Sequence, residues 1–182
     1  VLDLRKLGVR NVKDMVFLDG YFEPTVLFLH EREPTWAGQL AQLRDSFSVT
    51  AVSLNLPQQQ YQTIWSLDDL PYNAHSLLPM PHPVEGALVL CSNTLIHVSQ
   101  SAYYAMATND FVELDSGDAL DVAPPPSRVC VTLDGAHAAL LTEKRVLLSL
   151  REGDVYLVDV HFDGRQVRRF DMNKIGASVR CA

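Results

Sequence analysis

Paired apolar runs separated by polar intervals recur roughly sixty residues apart in this chain: Val26 to Leu29 with Val49 to Leu54, Ala87 to Leu90 with Thr94 to Val98, and Arg145 to Leu150 with Val155 to Val160. A short apolar run bounded by turn residues reads as a strand. A repeated strand unit that cannot bury both of its faces must stack on copies of itself. The expected class is therefore all-β, with about three to four blades of a β-propeller, since one blade takes roughly 40 to 45 residues. Val155 to His161, with Val155, Leu157, Val158 and Val160, is almost continuously apolar, which suits an inner strand covered on both faces.

Turn chemistry divides the chain into approximate units 12–70, 75–127 and 128–176, with a further blade starting at 177–182. In the first unit strands are expected near Val12 to Leu18, Thr25 to His30, Phe47 to Leu56 and Thr63 to Leu67, with Asp19-Gly20 and Glu23-Pro24 as turns. The insertion Glu31 to Asp45, carrying Trp36, is expected to loop out of the sheet. In the second unit, Pro79, Pro81 and Pro83 suggest an edge or linker, and Gly86 to Ser92 with Thr94 to Gln100 forms a hairpin turning at Ser92-Asn93. Ser101 to Ser127, acidic, alanine-rich and closing on three prolines, reads as one long surface connection of low order. The third unit has strand signals at Val129 to Leu133, Ala138 to Leu141, Val146 to Leu150, Val155 to His161 and Val167 to Met172. Asp134-Gly135, Glu152-Gly153-Asp154 and Asp163-Gly164 separate them. The chain starts at Val1 and stops at Ala182 inside strand-like sequence, so a fragment of a longer, multi-propeller scaffold is expected.

The formal charge of -7 is unevenly placed. Between Asp45 and Ser127 there is no Lys or Arg, which makes that stretch a poor surface for phosphates. Basic residues cluster instead between Lys144 and Arg180, and Arg165, Arg168 and Arg169 are candidates for contact with an acidic partner or phosphate. Three cysteines, Cys91, Cys130 and Cys181, lie in apolar strand-like runs without a C-x-x-C pair and read as buried thiols. With no Asn-x-Ser/Thr acceptor, a reducing compartment, cytosol or nucleus, is favoured. No apolar run approaches the ~20 residues of a membrane-spanning helix, and no membrane contact is expected.

Asp115-Ser116-Gly117 has the form in which aspartic proteases present a carboxylate, but that reaction needs two aspartates sharing a proton and the motif occurs once. It reads as a turn, with a single-motif acid protease as the alternative from another class. His30, His75, His82, His97, His137 and His161 lack zinc-ligand spacing, and no glycine-rich nucleotide cradle or G-x-S-x-G elbow is present. No cofactor, metal or small-molecule substrate is expected. Trp36, a large apolar side chain on a long loop, is the preferred anchor for a protein partner.

The run Arg10 to Thr25, together with Thr35-Trp36-Ala37-Gly38, Ser53-Leu54-Asn55, Ile64-Trp65-Ser66-Leu67, Glu85-Gly86, Asp163-Gly164 and Ala177-Ser178-Val179, resembles the large-subunit family of the cleavage and polyadenylation specificity factor. A weaker likeness, mainly Val12 to Thr25 and Pro81 to Gly86, extends to the large subunits of the damaged-DNA-binding ubiquitin-ligase complex and of splicing factor 3b. The resemblance implies part of an N-terminal β-propeller in a nuclear scaffold with no catalytic residue of its own. It also implies partners: WD-repeat and zinc-finger subunits that read the polyadenylation signal, with pre-mRNA reached through the complex. The segment Ser101 to Ser127 matches no motif of that family, and no individual functional residue is carried over.

Overall fold

The computed structural model describes residues 2–40, 45–112 and 120–176. Apart from a single-turn 3₁₀ helix at Leu4–Leu7, the regular structure among these residues is strand. The first sheet is formed by β1 (Val12–Leu18), β2 (Thr25–Glu31), β3 (Phe47–Asn55) and β4 (Gln60–Leu70). The second contains β5 (Ala74–Pro79), β6 (Ala87–Cys91), β7 (Thr94–Val98), β8 (Tyr103–Ala107) and the short β9 (Val122–Ala123). The third contains β10 (His137–Thr142), β11 (Arg145–Ser149), β12 (Val155–Asp163) and β13 (Gln166–Ile175). Within each sheet consecutive strands pair antiparallel in chain order, except that β9 lies parallel to β8. These are blade-type meanders in an open stack, and the all-β expectation holds.

Strand alternation explains why the sheets stack. Successive side chains leave a strand on opposite faces, so the continuous apolar sequence of β6 supplies two cores at once. Ala87, Val89 and Cys91 join Ile96, Val98 and Ala105 in a cluster with Leu27, Leu29, Phe47 and Val49 of the first sheet. Leu88 and Leu90 join Leu95 and Met106 in a second cluster with Val146, Leu148, Val158 and Phe170 of the third. The middle sheet is thus covered on both faces, which is the environment the sequence suggested for Val155 to His161. In that strand only Tyr156, Val158 and Val160 are buried, whereas Val155 and Leu157 on the opposite face stay half-exposed. The reason is register: Leu157 faces Leu147 and Asn173 on a side that also bears Arg145, Asp159, His161, Arg169 and Asp171.

Three further sequence expectations are corrected. Ser101 to Ser127 is not one surface connection, because its first part is β8, whose Ala105, Met106 and Ala107 are buried between sheets. Residues 113–119 of that segment lie outside the described residues. Val129 to Leu133 forms no sheet strand. It docks on the second sheet instead: the Val131 amide donates to the Thr108 carbonyl at 2.9 Å and the Leu133 amide to the Ser92 carbonyl at 2.7 Å. Thr108 Oγ1 and Asn109 Nδ2 both donate to the Val131 carbonyl, at 2.9 and 2.8 Å, while Val129 and Leu133 bury their side chains. A segment whose backbone groups are satisfied by loop carbonyls needs no sheet partner. Cys130, expected in a buried strand, is exposed on this segment.

Candidate interaction surface

In an antiparallel meander the turns after the first and third strands lie at the same end of the sheet. In this stack those ends meet. Glu85, before β6, touches all three sheets: its carboxylate lies 3.3 Å from Arg165 Nη2 on the β12–β13 turn, 3.4 Å from His82 Nδ1, and under Gly20 of the β1–β2 turn. Its carbonyl accepts a 2.8 Å hydrogen bond from buried His97 Nε2. On the first sheet, Trp65 Nε1 donates to Tyr21 Oη at 2.7 Å. Asp19 Oδ2 accepts from the His82 amide at 3.4 Å, and Asp14 Oδ2 from the Leu77 amide at 2.7 Å, so carboxylates of β1 and its turn tie the first two sheets together.

Trp36 stands on the loop after β2 with 65% of its surface exposed. Its carbonyl accepts from the Gln39 amide at 2.8 Å, closing a local turn, and an added Cβ on Gly38 would meet the indole Nε1 at 3.5 Å. The indole therefore rests against its own turn rather than in either core. Residues 41–44 of this loop lie outside the described set.

The three arginines singled out by sequence do not form one patch. Arg165 reaches back to Glu85. Arg168 is the extra residue of a bulge, because His161 pairs with Arg169 and Phe162 with Val167. Arg169 lies on the outward face of the third sheet, 2.6 Å from Asp171 Oδ2, which also meets His161 Nε2 at 2.9 Å. The Arg169 hydrogen bond, helped by His161, holds the Asp171 carboxyl below its ordinary range.

No group of three His, Cys, Asp or Glu able to hold a metal occurs among the described residues. Burial pushes the Cys91 thiol up to about 12, so it is a packing group rather than a nucleophile. Asp115 and Cys181 lie outside the described residues. Burial also lowers the pKa of His30 and His97, with the Glu85 carbonyl opposing in the latter case. A histidine whose folded pKa is depressed takes up its proton more readily when unfolded, so stability is full above the unfolded value near 6.5 and declines as pH falls below it. The melting temperature should accordingly drop by a few degrees between about pH 7 and pH 5. His97→Gln, which retains a donor for Glu85 but cannot titrate, should flatten that dependence; an unchanged slope would assign the loss to other groups.

No protein-family model matches the chain. Among curated proteins it is similar to "Cleavage and polyadenylation specificity factor subunit 1" of Arabidopsis thaliana, 41% identical over 98% of this chain and 12% of that protein. Proteins of the same name from Drosophila melanogaster, 34% identical over 94% of this chain, and a probable one from Caenorhabditis elegans, 32% over 96%, also match, each over 12% of its own length. The resemblance read from the sequence is borne out: over almost its whole length the chain is homologous to one segment of that subunit. It spans about an eighth of the relatives it matches.

Proposed function

We propose that this chain is part of the first propeller of a non-catalytic scaffold subunit in nuclear pre-mRNA cleavage and polyadenylation. The observation that supports this most is the near-complete match to one segment of factor subunits bearing that name. The stacked sheets fit the reading, because they devote their side chains to inter-sheet cores and present loops at the rims. As a scaffold it organises the WD-repeat and zinc-finger subunits, and pre-mRNA reaches it through them. The damaged-DNA-binding and splicing-factor adaptors remain the related alternative by architecture, but the matched names favour polyadenylation.

Trp36 carries the partner contact in this reading. In the full-length subunit, Trp36→Ala should leave the melting temperature nearly unchanged, because the exposed indole holds no core together, and should cut retention of the WD-repeat subunit about tenfold. A lowered melt with the partner still bound would make Trp36 a structural cover for its own sheet and move the contact elsewhere.

A further inference from the structure

The three-sheet junction at Glu85 has an open side. Tyr21 is turned inward and fixed by Trp65, which leaves its neighbour Phe22 pointing away from the sheet and fully exposed, at 105% of the reference area. An aromatic ring presented to water on a short turn, bracketed by Gly20 and Pro24, gains nothing from its own fold. Beside it a groove of about 240 Å³ is lined by Tyr21, Phe22, Glu85, Gln100 and Arg165. Glu85 in its wall is only 15% exposed and held at φ 60°. A non-glycine residue kept in the left-handed region costs of order 1–3 kcal/mol and concentrates at ligand-contacting positions. The surrounding turns carry Asp19, Glu23, Glu85 and Asp163 against Arg165 and the imidazole of His82, an acidic excess in which Glu23 is held by Ser53 and Asn55 and Glu85 is paired with Arg165.

The geometry points to this groove as a docking site for an extended segment of another protein subunit, one that places an apolar side chain on Phe22 and a lysine or arginine toward Glu85. Charge complementarity argues for the cation, since the turns that meet here carry more carboxylates than cations and Arg165, the partner of Glu85, is itself largely exposed and displaceable. The ring argues for the apolar neighbour, and its face also accepts a cation. The site is built from turns of all three sheets, so only the assembled stack presents it. It rests on the scaffold reading above, and is separate from Trp36.

The test uses the full-length subunit within its purified complex. With benzoylphenylalanine at position 22, irradiation should cross-link to a peptide of another subunit that has Lys or Arg within a few residues of the linked site. Phe22→Ser, which removes no buried contact, should leave the melt unchanged and weaken retention of that subunit at least about tenfold. Glu85→Gln should weaken it too and reduce its dependence on salt. Cross-links to this chain itself, to RNA, to a segment without cations, or to nothing would overturn the site, as would unchanged retention in Phe22→Ser. In each of those cases the assembled complex leaves the scaffold reading intact. Failure of the unmodified subunit to assemble with any polyadenylation subunit would overturn both.

Discussion

Gly86→Ala should be among the most damaging single substitutions in this part of the protein, lowering stability by about 3 kcal/mol or more. Gly86 has φ 73°, and an added Cβ would lie 2.1 Å from the Val98 carbonyl oxygen and 3.1 Å from Ser99 Cα. Both obstacles are backbone, so no rotamer change relieves them. Moving them would break the first pair of the β6–β7 ladder, Ala87 with Val98, inside a strand that is buried on both faces. The Gly86 carbonyl also accepts the Met80 amide at 2.9 Å, tying the turn shut from the other side. Gly164→Ala is the control. It too has positive φ, 61°, but its Cβ would meet nothing within 4 Å, so it should cost only the left-handed penalty of about 1–2 kcal/mol. Denaturant midpoints of the two full-length variants measure the difference, and equal losses would show that the close approach to Val98 is relieved without cost.

That asymmetry marks the limit of local sequence reading. Both glycines follow an acidic residue, and the sequence reads Gly164 as a turn and Gly86 as the start of a strand. What separates them is a carbonyl twelve residues further along the chain, on a strand whose position depends on the whole sheet. The paired runs of β6 and β7 were legible because every side chain in them except His97 is apolar or small, and burial on two faces demands that composition. Tyr103-Tyr104-Ala105-Met106-Ala107 was not, since alanine and methionine carry little strand preference and the acidic stretch beyond masked them. Val129 to Leu133 misled in the opposite direction. Its β-branched residues look like a strand, yet its amides find carbonyls at Thr108 and Ser92, partners that periodicity does not reveal.

The surface was legible to a similar degree. Exposure of Trp36 follows from a long polar loop after a buried strand. The basic run Arg165 to Arg169 suggested one patch, but a turn, a bulge and strand alternation send its members to separate environments. Glu85 and Phe22 belong to the runs that carry the family resemblance, but nothing in the sequence marked either as part of a site. Glu85 matters because turns far apart in sequence converge on it, and Phe22 because its neighbour Tyr21 is held inward by a tryptophan on β4.

Phe170→Ala should weaken the joint between the second and third sheets, with a loss of about 3–5 kcal/mol. Phe170 is 1% exposed, and its ring meets Tyr104 of β8 edge to face, 5.2 Å between centroids and 72° between planes. It sits in the cluster that also holds Leu88, Leu95, Val158 and Val160. Truncation removes its transfer free energy and leaves a cavity between two β-sheets, which cannot close toward each other without displacing every side chain in the layer. Tyr104→Phe separates packing from polarity, because it keeps the ring and should cost far less. The effect should also reach the Glu85 junction, since Arg165 stands on the hairpin that Phe170 anchors. If the scaffold works through loops shared by three sheets, Phe170→Ala should therefore reduce binding at the Phe22 groove as well as stability. Normal binding in the folded variant would mean that the groove forms without a fixed angle between the second and third sheets.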